Sequence, residues 1–367
     1  MTRTVCTLLL IAVLRSSAAA GPSAWEQPAH DPHAATTASA PEATAEATPW
    51  IDLAPSKLLE GSHDRGARSR KVAAVATLAG LYAGFTGWTY FAWYRKHHPL
   101  AQYKWGCFAL CEGADGNIKI WSKEGWFAST RYAGGADKLG HAWATMGLAR
   151  LGTEMLNQWG GYDRTASALI GAGLAELLFF GVELKDGAYY EFSFGDLTFN
   201  TIGAGLAIAL SLWPRLDELF DYRVEYWPSA AYRAQFTEGN TGKNLNIAED
   251  YSGETYLLAF HLGGIHRLRD ARWGTLARFV DIVAGFGARG YKPEPPPGAE
   301  KYKESQIMYL GISLNAQGIF DYLFDRRAPT LRKITHGLFE MFNVPFGSLP
   351  VLRHEQYPTG AVMGGGA

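Results

Sequence analysis

The chain has 367 residues, and its 34 Lys and Arg are balanced by 35 Asp and Glu for a formal net charge of -1. No global basic field therefore points to a nucleic-acid partner. The 12 Trp, 18 Tyr, 19 Phe and 42 Gly suit a membrane protein, where Trp and Tyr settle at interfaces and Gly lets helices approach closely.

Residues 1–20 read as an export signal: Arg3, an apolar stretch over 6–14, then the small residues 16–20. The apolar stretch is too short to span a bilayer comfortably, and no cysteine stands after a small residue at a cleavage site, so a lipobox is lacking. Residues 21–70, rich in Ala, Pro and Thr, read as a disordered linker that ends in the basic run 65–71. Cys6 falls in the signal, while Cys107 and Cys111 form a C-x-x-x-C pair that suits a local disulfide or two free thiols better than a metal site.

Residues 72–94 carry no charge, which at about 1.5 Å per residue is long enough to cross the hydrocarbon core. Trp88, Tyr90, Trp93 and Tyr94 make an interfacial belt at the far end. Further apolar segments run over 139–159, 166–184 and 197–213. Their short connections make neighbours antiparallel. The expectation is a mainly α protein: a bundle of about four apolar helices within a membrane domain, residues 71–214. The hexapeptide I-G-A-G-L-A occurs at 170–175 and again at 202–207, supplying Gly171/Ala175 and Gly203/Ala207. Small pairs at this spacing predict that these two helices pack closely. Residues 215–367 read as a small mixed α/β appendage, with strands over 279–286 and 308–315, too few for an outer-membrane barrel, and a disordered Gly-rich end.

Polar residues inside apolar segments are costly and therefore informative. Asp137 and His141 stand at i and i+4 with Lys138 between them, so the two share a helix face. Glu183, Asp186 and Gly187 close the next segment. Asp196 and Asn200, again i and i+4, open the last, with Gly203 a turn beyond. Antiparallel alternation brings these three ends to one face. Glu176 lies about two turns deeper than Glu183. The candidate catalytic or metal-ligating residues are Asp137, His141, Glu183, Asp186 and Asp196. Lys138, Glu176, Gly187, Asn200 and Gly203 are candidate binding residues. Such a set suits a divalent metal or acid/base chemistry. Taken singly, the same residues also suit structural roles: Asp137 and Asp196 as helix-start acids, Asn200 as a cross-helix bond, His141 as a packed imidazole.

At these positions the chain resembles the YfiM-like family of predicted periplasmic lipoproteins, whose function is unknown. The shared elements are D-K-L-G-H at 137–141, E-L-K-D-G at 183–187 and F-S-F-G-D-L-T-F-N-T-I-G at 192–203. A weaker resemblance runs to VanZ-like membrane proteins, which share the D-K-x-x-H start and D-x-x-x-N-x-x-G end and are linked to teicoplanin resistance. Neither resemblance implies a reaction.

These observations favour a bacterial cell-envelope protein, embedded in the inner membrane with a periplasmic C-terminal part. Its polar cluster would hold the bundle together or bind a lipid head group or an envelope glycan. Membrane lipid is the expected partner and nucleic acid is not. The alternative is a metal-dependent or acid/base hydrolase acting on a lipid-linked envelope substrate. A cleaved signal and the basic loop 95–136 orient the cluster toward the cytoplasm.

Overall fold

The computed structural model describes residues 65–95, 97–106, 110–112, 118–120, 126–237, 247–272, 274–295, 300–324 and 328–358. The expected export signal, the linker up to residue 64, Cys6, Cys107 and the Gly-rich end lie outside these residues.

The first helix, α1 (Arg65–Thr89), continues through a wider π-type turn over Tyr90–Tyr94. Its first turns take up the basic run that the sequence assigned to the linker. The alternation of charged and small residues there has no Pro or Gly pair to stop a helix that the apolar run propagates. Leu110–Glu112 and Ile118–Ile120 pair as a small hairpin, β1–β2, with Cys111 at its centre. Gly134 and Gly135, both at positive φ, then turn the chain into α2 (Ala136–Glu154), which ends in a second π-type turn, Met155–Trp159. The side chain of Asp163 caps α3 (Arg164–Tyr189), and that of Ser193 caps α4 (Phe194–Leu212).

Helix α2 is the centre of the helical part. Ala149 on α2, Ala172 and Ala175 on α3, and Ala204 and Ala207 on α4 form one core with Met146 and Leu210. The repeated hexapeptides do provide close approach, but each is directed at α2. A Cβ on Gly171 would lie 2.7 Å from the Thr153 amide nitrogen and 2.8 Å from the Ala149 carbonyl oxygen. A Cβ on Gly203 would strike the carbonyl of Ala142. The two small faces thus clasp a third helix, because α2 carries its own small residues, Ala142, Ala149 and Gly152, on the facing sides. The close-packed unit is therefore α2, α3 and α4. Helix α1 leans on it through Leu78 and Tyr82 against Leu156, with the Tyr82 hydroxyl donating to the Leu148 carbonyl at 3.0 Å.

The C-terminal part is larger than the expected appendage. Its six-stranded sheet has the order β7-β3-β4-β5-β6-β8: β3 is Phe220–Tyr226, β4 Glu254–His261, β5 Val280–Arg289, β6 Ser305–Leu314, β7 Phe342–Asn343 and β8 Ser348–Gln356. All neighbours are antiparallel except β3 and β7. The two expected strands are β5 and β6, in register from Val280↔Leu314 to Arg289↔Ser305. Helices α5 (Ala316–Phe324) and α6 (Pro329–Met341) follow β6.

The inner face of the sheet packs Leu257, Ala259, Val283 and Tyr309 beside a buried polar group. Arg223 bonds Asp221 and, at 2.8 Å, Asp281, all three buried. His261 sits between the same two carboxylates, 2.8 Å from Asp281 and 3.0 Å from Asp221. Asn315 donates to Asp281 at 2.8 Å. The opposite face is apolar, and near the start of β4 it packs on α2: Tyr222, Val224, Tyr256 and Phe286 meet Ala136, Leu139 and Trp143. Two further ties join the parts: the Tyr222 hydroxyl donates to the Leu139 carbonyl at 3.0 Å, and the Trp143 indole N–H to that of Met341 at 2.8 Å.

Candidate functional site

Three helix ends converge as their order demands. Asp137, His141 and Thr145 follow one another at i, i+4 and i+8 down the start of α2. Glu183 and Asp186 stand in the last turns of α3, while Asp196 and Asn200 stand in the first turns of α4. Asp196 lies where a helix-capping acid could, yet its own backbone N–H bonds the Ser193 hydroxyl at 2.9 Å, so the Asp196 carboxylate is left for other partners.

Those partners are across the helices. The Lys138 ammonium bridges Asp137 at 3.1 Å and Asp196 at 2.9 Å. His141 Nδ1 lies 3.1 Å from Asn200 Oδ1 and 3.4 Å from Glu183 Oε1, and its Nε2 is 3.9 Å from Asp196. The Thr145 hydroxyl donates to Asn200 Oδ1 at 3.0 Å, and Asn200 Nδ2 donates to Glu183 at 3.3 Å. Glu183 and Asn200 are both 0 % exposed. Of the candidates, Asp137, Lys138, His141, Glu183, Asp196 and Asn200 form one connected centre.

Asp186 stands at its margin, where it accepts a hydrogen bond from the Tyr94 hydroxyl at 2.8 Å. Glu176 does not join: it is half-buried and accepts from Thr201 at 2.8 Å, two turns away along α3. Gly187 and Gly203 are packing positions. A Cβ on Gly187 would overlap the Tyr103 ring, and Gly203 holds α4 against Ala142. The sequence reading missed Thr145 and Tyr94. Thr145 was within reach, being the next i+4 step from His141. Tyr94 suits an interfacial belt by sequence; it is buried, and its hydroxyl faces α3.

The centre is mutually bonded, but its charge and valence are incomplete. Asp137, Glu183, Asp186 and Asp196 outnumber the single ammonium of Lys138. Asp137 Oδ1 and Glu183 Oε2 are buried without a hydrogen-bond partner. One ligand atom each from His141, Glu183 and Asp196 can be chosen so that all lie within 4.8 Å of one another. Imidazole and carboxylate at such spacing is a donor set for a divalent first-row ion.

Residues 123–211 match the profile of a family described as predicted periplasmic lipoprotein (DUF2279). The match takes in α2, α3 and α4 and every residue of the polar centre, and it agrees with a cell-envelope protein. It stops before the sheet. No curated protein and no solved structure matches the chain.

Proposed function

We propose that this protein is a membrane-embedded cell-envelope protein whose polar centre holds a divalent cation between His141, Glu183 and Asp196, as a binding or structural element rather than a catalytic one. The observation that carries this reading is Glu183: it is fully buried, its Oε2 has no hydrogen-bond partner, and its Oε1 lies 3.4 Å from His141 Nδ1. A buried carboxylate excess is costly unless paired or coordinated. The binding reading is preferred over hydrolysis because the centre's side chains bond one another, with Lys138, Asn200 and Thr145 buried among them.

Among the described residues, three helices, over Arg68–Tyr94, Arg164–Tyr189 and Phe194–Leu212, are long and apolar enough to cross a membrane by length and composition. Arg68, Arg70, Lys71, Arg164 and Arg215 gather at the end of the helices away from the polar centre. Whereas Arg95, Lys104 and Arg131 at the centre's own end favour the reverse, the positive-inside tendency applied to this group directs the centre outward. That orientation reverses the one expected from the loop 95–136. It also accords with the periplasmic description of the matching family.

Metal analysis of the purified full chain, after exposure to zinc or manganese and removal of excess ion, tests the proposal. Wild type and Glu176→Gln should retain about one equivalent, and His141→Ala and Glu183→Gln should bind roughly tenfold more weakly or worse, in line with losses seen on disturbing metal shells. Equal metal content in all four proteins would overturn it.

A further inference from the structure

We propose that the outer face of the C-terminal sheet lies against the acyl chains of an anionic phospholipid leaflet, with the β4–β5 connection at the head groups. This inference rests on the membrane-embedded reading above but uses none of the residues of the cation site.

The first observation is an apolar face left uncovered. A sheet in water buries its apolar face and shows its polar one. Here the inner face already buries Leu257, Ala259 and Val283 beside Asp221, Arg223, His261 and Asp281, and the outer face is apolar as well, with Leu258, Ile282, Met308, Leu310, Ile312 and Leu314 each 43–54 % exposed. A contiguous exposed apolar patch of this kind marks a surface that meets a membrane or a partner. The second observation is length. Strands β5 and β6 have 10 residues each, so at about 3.3 Å per residue the apolar face runs for roughly 30 Å.

The third observation is charge placement. The β4–β5 connection, residues 262–279, carries Arg267, Arg269, Arg272 and Arg278 against one acid, Asp270. Arg267, Arg272 and Arg278 are exposed there, beside exposed Leu268 and Leu276. This basic connection sits at the same end of the molecule as the basic start of α1, as three contacts show. The Lys71 ammonium lies 5.0 Å over the Tyr162 ring, just before α3. Arg164 at the start of α3 donates to the Ser211 carbonyl at the end of α4 at 3.0 Å. Arg215, just past α4, donates to the Gly264 carbonyl in the connection at 2.6 Å. Two basic segments about 200 positions apart in sequence thus meet one plane. Basic residues flanking an apolar surface are the complement of anionic head groups.

The apolar surface is also continuous with the helices. Phe127 packs on both Phe286 of the sheet and Phe199 of α4, with ring centroids 5.6 and 5.5 Å apart. Between α2 and the sheet runs a groove of about 640 Å³, lined by Leu139, Leu258, Met308, Leu310 and Leu352 together with Arg353 and His354, of a size to take an acyl chain with a basic group beside it.

The test uses the full chain with its three cysteines replaced by Ala, reconstituted into vesicles of equal phosphatidylglycerol and phosphatidylcholine. A nitroxide is placed in turn on Ile282→Cys, Leu310→Cys and Ile312→Cys. Each label should collide freely with dissolved oxygen and hardly at all with a water-soluble nickel chelate. Ready collision with the chelate would mean that the face meets water, and collision with neither reagent would mean that protein, such as a second copy, covers it. Either result would overturn the proposal. For the head-group half, lipid retained through purification in mild detergent should be enriched in phosphatidylglycerol, and Arg267→Glu/Arg272→Glu/Arg278→Glu should abolish the enrichment. No enrichment in the wild type, or enrichment that survives the triple change, would overturn that half.

Discussion

His141 on α2 and Asn200 on α4 meet at 3.1 Å between Nδ1 and Oδ1, and Asn200 is the hub through which the polar centre is joined. Its carboxamide also accepts from Thr145 at 3.0 Å and donates to Glu183 at 3.3 Å, so all three helices of the close-packed unit depend on it.

Asn200→Ala should therefore destabilise the helices by more than a single hydrogen bond. It leaves the Thr145 hydroxyl and the fully buried Glu183 carboxylate without their partner, and an orphaned buried polar group costs about 1–3 kcal/mol. The expected outcome is a clear fall in the thermal midpoint in detergent, with Asn200→Asp failing to restore it because it adds a buried negative charge. An unaltered midpoint for Asn200→Ala would show that the centre contributes nothing to stability.

The two small-residue faces give a sharper contrast. At Gly203 a methyl group meets the Ala142 carbonyl, which belongs to backbone and cannot move aside. Gly203→Ala should cost about 1–3 kcal/mol by overpacking, and Gly203→Leu more. At Gly205, two positions on, a Cβ would meet nothing within 4 Å. Gly205→Ala should leave stability unchanged or raise it by about 0.5–1 kcal/mol, because Ala loses less freedom in a helix. Denaturation midpoints of the two Ala variants, measured side by side, check the claim, and equal shifts would refute the packing argument.

How much of this was legible in the sequence depends on what kind of regularity carried it. The i, i+4 pairs Asp137/His141 and Asp196/Asn200, together with the short connections, were enough to bring three helix ends together, because helical spacing and antiparallel order are geometric. The partner of each small face was not legible. Gly171 and Gly203 announce close approach, but spacing alone does not say to which helix, and α2 lacks the hexapeptide that its neighbours share. Strands β3 and β4 were missed for a different reason. F-D-Y-R-V-E-Y alternates well, but its charged residues, Asp221 and Arg223, face the interior and pair there with His261 and Asp281, which come from later strands. A rule that sends charge to the surface misreads such a strand. Tyr94 was lost to a similar ambiguity: a tyrosine at a helix end suits a membrane interface and a buried bond to Asp186 equally well.

The α5–α6 hairpin should show a pH dependence of known sign. Burial lowers the affinity of His336 for its proton, but the hydrogen bond to Asp321 at 2.7 Å and the charges of Asp321 and Glu340 outweigh it, so its pKa is raised above the ordinary 6.5. A group whose folded pKa is raised adds stability that is fully present below 6.5 and is lost as pH climbs through the folded value. The thermal midpoint of the wild type should thus fall from pH 6 toward alkaline pH more steeply than that of His336→Gln. Parallel profiles for the two proteins would remove His336 as the cause.

Arg150 joins the helical part to the sheet, and its removal should be the most damaging single change of charge in that contact. Its guanidinium, on α2, lies 2.9 Å from Asp217, just before β3, and also pairs closely with Glu340 on α6. All three side chains are largely buried, so two carboxylates depend on one cation. Arg150→Ala leaves both without it, and breaking a buried pair by removing one partner costs about 3–5 kcal/mol. The same reasoning predicts the rescue. Arg150→Met with Asp217→Asn and Glu340→Gln removes the charges together and keeps most of the volume, so it should recover most of the loss. Limited proteolysis gives the readout, since a loosened contact between α2 and α6 should expose the segment between β6 and β7 to cleavage. Cleavage should be fast in Arg150→Ala and near the wild-type rate in the triple variant. If the triple variant is cut as fast as Arg150→Ala, the damage comes from lost packing around the arginine stem, and the electrostatic account fails.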